Sequence, residues 1–204
     1  MKSFNEEFTR KLKQKTEELE KVSTIEFVPV VISRSDSYIT FRTIVALLAS
    51  IYVLLVTSAQ SLRPWLEESL FAVAAFLVVF ALVSWEPILR RVLPKRLKNA
   101  AVVDEADAAF LHEEVFATRA RTGVLVFISV FERSVFVIGD KGFSKVVDPN
   151  YWSDLGLRLA DDFSVGSPGQ SFFEVLDDMA RNIAPKFPLT GDNPNELHDD
   201  LRRR

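Results

Sequence analysis

The sequence predicts an α/β chain interrupted by a transmembrane helical hairpin, and three observations carry that reading. Residues 43–62 and 69–85 hold no charged side chain, no Gly and no Pro. Thr24–Ser33 and Val124–Phe131 are apolar or β-branched runs of strand length. The remaining apolar residues recur mostly at helical spacing, in segments bounded by Gly, Pro and capping residues.

The hairpin comes first because its signal is strongest. At ~1.5 Å per residue, about 17–20 residues reach the ~30 Å thickness of a hydrocarbon core. The spans are placed at about 43–60 and 68–85, inside a hairpin segment of residues 42–88. Trp65 and Trp85 flank the second span, where amphipathic rings prefer the interface. Arg42, Arg63, Glu67, Glu68 and Glu86 end the apolar windows abruptly. The bland alternative is a hydrophobic hairpin inside a soluble bundle, which would have to bury two adjacent helices that are apolar on every face. Neither span reads as a signal peptide: the first begins some forty residues in, and no small-residue cleavage pattern comes after it.

Orientation follows Lys and Arg near the span ends. Arg90, Arg91, Lys95, Arg96 and Lys98 follow the second span, Arg34 and Arg42 precede the first, and the connecting loop offers only Arg63. Both termini are therefore expected in the cytoplasm of a bacterial inner membrane, with the soluble domain on the same side. Residues 89–99 read as a basic juxtamembrane linker, either a topology signal or a patch attracted to anionic lipid.

Around the hairpin, residues 3–21 read as an amphipathic helix opened by a Ser3/Glu6 capping box, with Phe4, Phe8, Leu12, Leu19 and Val22 near one face. Pro29 within the next strand suggests an edge position or a bulge. Asp104 can cap a helix running to about Ala120, with Ala106, Phe110 and Ala117 facing inward. Val124–Phe131, the short connection Glu132–Ser134 and Val135–Gly139 read as a β-hairpin. Two helices come next, one from about Pro149 to Phe163 and one from a Ser171/Glu174 capping box, the second carrying Phe172, Val175, Leu176, Met179 and Ile183 on one face. Pro185 and Pro188 stop it. Residues 188–204 are too polar to order themselves by burial.

Composition excludes some functions. There is no cysteine, hence no disulfide and no thiolate chemistry. The formal net charge is −3, and residues 100–187 carry 14 acidic against 8 basic side chains, a poor match for a phosphate backbone. Nucleic acid is not an expected partner; the lipid bilayer and another membrane protein are. Gly-x-Ser-x-Gly, Walker-type and His-Glu-x-x-His patterns are absent from the sequence. His112 sits beside Glu113 and Glu114, and His198 lies in the tail, so neither has a triad partner in sequence. With two spans free of intramembrane charge, transport is disfavoured as well.

The stretch Arg121-Thr-Gly-Val-Leu-Val-Phe-Ile-Ser-Val-Phe-Glu-Arg-Ser-Val-Phe-Val-Ile-Gly-Asp-Lys-Gly-Phe143 resembles the central β-hairpin of the TPM domain family. Val103–Ala120 matches the family's helix rich in Ala and Phe, and Glu17–Ser33 with Arg34–Tyr38 resembles its opening helix and strand. Trp152 and the helices around it match the part of the family pattern beyond the β-hairpin. The resemblance covers roughly residues 3–40 and 100–187. It implies an α/β (α+β) sandwich, a small mixed sheet flanked by helices, with a strand–helix–strand crossover between Phe27 and Phe127. The domain plan is then residues 1–41 for the first helix and strand, 42–88 for the inserted hairpin, 89–99 for the linker, 100–187 for the rest of the domain and 188–204 for the tail.

The family includes bacterial membrane proteins and a plant thylakoid member linked to photosystem repair; some members hydrolyse phosphate esters or bind calcium through acidic loops. The resemblance thus implies two functions, assistance in assembly, repair or quality control of membrane proteins, and a metal-dependent phosphatase. For the second, the best candidates come directly after a strand: Asp140 as a catalytic carboxylate or metal ligand, and Lys141 and Gly142 as phosphate or ligand contacts. Asp148 can join Asp140 as a metal ligand, with a divalent cation such as calcium as cofactor; otherwise it caps the next helix. Asp161-Asp162 near Gly166–Gly169 is a further acidic pair at a solvated helix end. The bland reading of Asp140–Gly142 is a polar turn.

Overall fold

The computed structural model describes residues 6–59, 65–164, 170–189 and 202–203. The chain divides into two compact units, one formed by Met1–Ser35 with Asn99–Arg204 and the other by Asp36–Lys98. The second unit therefore lies, in sequence, between two segments that build one fold.

The first unit is a sheet covered on both faces. Strands β1 (Glu26–Ile32), β2 (Gly123–Ser129), β3 (Ser134–Gly139) and a two-residue β4 (Arg202–Arg203) are ordered β3-β2-β1-β4. β1 runs parallel to β2, with Glu26 opposite Gly123 and Val30 opposite Phe127, while β2 and β3 form an antiparallel hairpin. Parallel neighbours need a crossover, and here it contains the whole second unit. All seven residues of β1 and of β2 are buried, as a strand sandwiched between helices requires.

The alternation of side chains is clean. Phe27, Val31, Val124, Val126, Ile128, Val135 and Val137 join one core with α1 (Glu6–Glu20), α6 (Pro149–Ser164) and α7 (Gln170–Ile183). Val28, Val30, Ile32, Leu125 and Phe127 join the other with Val102, Ala106 and Ala109 of α5 (Lys95–His112). On α1 the buried face is Phe8, Leu12, Thr16 and Leu19. Val22, expected there, is exposed beyond the helix end, and Ser3 and Phe4 lie outside the described residues.

Two expectations are corrected. Pro29 marks no bulge, because β1 and β2 pair in continuous register; it stands at an edge position, since on its outer side β1 is paired only at Val30 and Val31 among the described residues. Glu26 N–H bonds Thr122 O, so by alternation the N–H groups of residues 28 and 30 also face β2, and position 29 faces away. The missing donor of Pro29 falls on the side where β4 pairs only at Val30 and Val31. Next, Asp104 does not cap a helix: α5 starts nine residues earlier, after Pro94, and ends at His112, where Glu114 turns into the left-handed region. The Ala-rich turn after Asn99 carries the helix straight through Asp104. The basic linker is helical, divided between α4 (Glu86–Val92) and the start of α5. Of the tail, Arg202–Arg203 adds the short β4, and most of the rest lies outside the described residues.

The second unit contains α2 (Ile39–Ala59) and α3 (Trp65–Ser84), both long and apolar enough to cross a membrane. They begin a few residues before the charge-free windows because backbone hydrogen bonding tolerates a polar first turn; Arg42 N–H already bonds Tyr38 O. Where they meet, Ser50 Oγ donates to Ala72 O at 2.9 Å. Ala46 shares the face of Ser50 and is buried with Ala72, so small residues let the backbones approach. The outer faces, among them Leu48, Leu55, Leu70 and Leu77, are exposed.

Candidate functional site

The antiparallel register of β2 and β3 brings the end of the hairpin back to its beginning. Asp140 N–H donates to Gly123 O at 2.9 Å, and Gly142 N–H to Arg121 O at 2.8 Å. Arg121 holds a left-handed backbone, with φ 57°. Its guanidinium thereby reaches Asp140, with Nε to Oδ2 at 2.5 Å and NH2 to Oδ1 at 3.0 Å. Asp140 is buried while Arg121 is half exposed. The hydrogen bonds to Asp140 raise the Arg121 pKa above its already high ordinary value, against a smaller opposing effect of desolvation.

This geometry decides what the turn can do. Asp140 also caps a 3₁₀ turn, Lys141–Phe143, by accepting from Lys141 N–H at 2.7 Å. Phe143 N–H donates to Asp140 O. The carboxylate and the backbone N–H groups that would ligate a cation or cradle a phosphate are thus engaged within the protein. The Lys141 ammonium is on an exposed residue. Asp148 accepts from Asn150 N–H at 2.8 Å in a separate turn at the start of α6. Asp161 lies near the end of α6, whereas the side chain of Asp162 and residues 165–169 lie outside the described residues. Among the described residues no group of three or more His, Asp or Glu could hold a metal ion. His112 is exposed at the end of α5, and His198 is outside the described residues.

On these contacts Asp140 supports the hairpin. Asp140→Ala is expected to lower the stability of the first unit by about 1 kcal/mol through the lost cap alone. A denaturant midpoint followed through the fluorescence of Trp152 measures it, because that ring packs edge-on to Phe143, the last residue of the turn, at 5.0 Å.

Two features escaped the sequence. At the carboxyl ends of β1 and β2, buried Glu132 accepts from Ser129 Oγ, and Ser35 Oγ donates to Ser129 Oγ at 2.9 Å. Ser35 N–H also donates to Glu132 at 3.2 Å. This network fastens the chain leaving β1 to the β2–β3 turn. Its members are 94 and 97 residues apart, so only the tertiary pairing reveals it.

The other is a groove of about 270 Å³ between α5 and α6, floored by Ser134–Val137 of β3. Its walls are Asn99, Val102 and Val103 on one side and Trp152, Gly156 and Leu157, with their neighbours, on the other. The one sequence signal for it is Leu157, an apolar residue off the buried stripe of α6, which leaves it 67% exposed.

No protein-family model matches the chain, and no curated protein does. Among solved structures it is similar to the NMR structure of BA42 protein from the psychrophilic bacterium Bizionia argentinensis sp. nov.. The TM-score is 0.59 at 15% sequence identity, covering 98% of this chain and 94% of the other. At that identity the likeness shows the fold alone.

Proposed function

We propose that this chain is a two-pass membrane protein of the TPM type, whose α/β unit is an interaction module for other membrane proteins. The observation that carries the reading is the surface of α2 and α3. Only 6% and 11% of their apolar windows are buried within the protein, and a soluble helix pair would not leave such faces to water. The TPM assignment rests on the hairpin motif around Thr122–Leu125 and on a mixed sheet flanked by helices, with the crossover between Phe27 and Phe127 that the resemblance implies. A non-catalytic role fits a turn whose carboxylate is committed to Arg121. The positive-inside distribution puts both termini and the α/β unit in the cytoplasm of a bacterial inner membrane. Assistance in assembly, repair or quality control of membrane proteins is the role these features suit.

The chain has no native cysteine, so single cysteines report topology without background. In intact cells Gln60→Cys is expected to react with a membrane-impermeant maleimide, and Ser153→Cys only after permeabilisation. The reversed pattern overturns the orientation, and release by alkaline carbonate overturns the anchor. Hydrolysis of a generic phosphate ester by purified protein, abolished in Asp140→Ala, replaces the interaction module with a phosphatase.

A further inference from the structure

We infer that Trp85–Lys98 is an interfacial site for anionic phospholipid, in which Arg91, Lys95 and Arg96 hold the phosphates of the adjoining leaflet. This goes beyond the anchor and rests on the two-pass reading of α2 and α3.

The chain does not leave the second span as one helix. Trp85 is extended (φ −70°, ψ 123°), which separates α3 from α4. Leu93 is extended as well (φ −68°, ψ 122°), which separates α4 from α5, and Pro94 directly after it disfavours a helical backbone there. α4 rises only about 10 Å over its seven residues, close to one Debye length at ~0.1 M salt. Arg91 is thus within electrostatic range of the surface whichever way α4 leaves the span. Lys98 Nζ donates to Arg90 O at 2.5 Å, which satisfies a carbonyl in the last turn of α4. That bond holds the first turn of α5, with Lys95 and Arg96, against the end of α4.

Every charge at this end of the second unit has a place. Asp36–Arg42 and Trp85–Lys98 together carry six cations against two carboxylates. Glu86 is paired with Arg90 at 2.8 Å, Arg42 donates to Ser37 O, and Asp36 accepts from Ser37 Oγ at 3.4 Å. Lys98 is engaged on Arg90 O. Arg91, Lys95 and Arg96 are exposed and form no ion pair among the described residues. The next charge along α5, Asp104, comes six residues after Lys98, nearly two turns away. The other end of the unit has Arg63, Glu67 and Glu68 instead. Interleaved with the three cations are Trp85, Val92 and Leu97, which are 64%, 47% and 44% exposed. A topology signal needs only the number of cations. Exposed apolar side chains among them, directly past a span, suit a segment lying in the headgroup layer. There the apolar groups meet the acyl boundary and the cations meet the phosphates.

The test uses the full chain with Trp65→Phe and Trp152→Phe, which leaves Trp85 as the one tryptophan. It is placed in phosphatidylcholine nanodiscs with a lipid carrying a nitroxide near the carbonyl end of its acyl chain. Labelled phosphatidylglycerol is expected to quench Trp85 at an about fivefold lower mole fraction than labelled phosphatidylcholine, the ratio that one cation at an anionic headgroup supports. High salt should shrink that preference. Arg91→Gln with Lys95→Gln and Arg96→Gln should abolish it, with quenching by labelled phosphatidylcholine unchanged as the sign that the chain is still inserted. Arg91→Lys with Lys95→Arg and Arg96→Lys should keep it. A companion chain that retains only Trp65 should show no preference. A preference that survives the three Gln substitutions, or that is equally strong at Trp65, overturns the inference. So does its removal by soluble glycerol 3-phosphate at constant ionic strength, which makes the ligand a free phosphate. Quenching of Trp85 by both lipids without preference overturns this inference and leaves the anchor standing, whereas no quenching of Trp65 or Trp85 by either lipid overturns both.

Discussion

A fragment spanning residues 99–204, without residues 1–35, should fail to fold, whereas residues 1–35 joined to 99–204 through a flexible linker should fold. The reason lies in β1, which is contributed by the first segment and stands between β2 and β4. Its Phe27 and Val31 enter one core and its Val28, Val30 and Ile32 the other. Each such side chain is worth about 1.5–3 kcal/mol of burial, so the strand contributes on the order of 10 kcal/mol. That equals the entire net stability of an ordinary domain. Its loss also exposes the backbone of β2 along seven paired positions. Chemical-shift dispersion of amide protons separates the outcomes: the shorter fragment should give collapsed, broad spectra and the joined one dispersed peaks. A dispersed spectrum from residues 99–204 alone would show that the core does not depend on β1.

Most of this architecture was legible because the strongest signals are local. Two charge-free windows name the hairpin helices, and continuous apolar runs name β1 and β2, whose burial on both faces hides any alternation. What the sequence hid was non-local or set by competition. Asp104 looks like a cap only if the preceding turn is not helical, and Ala100–Val103 made it helical. Pro29 reads equally as an edge residue or a bulge, and only the strand pairing, with β4 starting one residue later, decides for the edge. The candidate site also depends on a non-local contact. Asp140, Lys141 and Gly142 are adjacent and read as a ligand cradle, while the side chain that pairs with Asp140 is Arg121, 19 residues back. The register of the hairpin was the missing link: once Val124 faces Gly139, the residues just outside must meet. The groove along β3 needs the packing of two helices about 50 residues apart, and no linear pattern announces it.

Gly123→Val is expected to cost roughly 3 kcal/mol or more, the upper end of what overpacking a core does. Gly123 is the glycine of the motif by which the hairpin resembles the TPM family, and the structure gives it a physical reason. The chain comes off the 3₁₀ turn Val115–Ala117 and enters β2 directly beneath it. A Cβ at position 123 would stand 2.1 Å from Val115 O and 2.8 Å from Val115 Cγ1. The nearer contact is with backbone, which cannot rotate away as a side chain can. Relief requires β2 or the turn to move, and β2 is pinned on both sides, at Glu26 by the parallel register and at Asp140 by the bond to Gly123 O. The cause can be isolated by a second substitution. Val115→Ala removes the side-chain clash and leaves the carbonyl, so the double variant should remain nearly as unstable as Gly123→Val alone. Denaturant unfolding of the full chain in detergent, followed through Trp152, compares the variants. Full rescue by Val115→Ala would place the conflict in the side chain, and a wild-type midpoint for Gly123→Val would mean that the strand opening has room that this close approach denies.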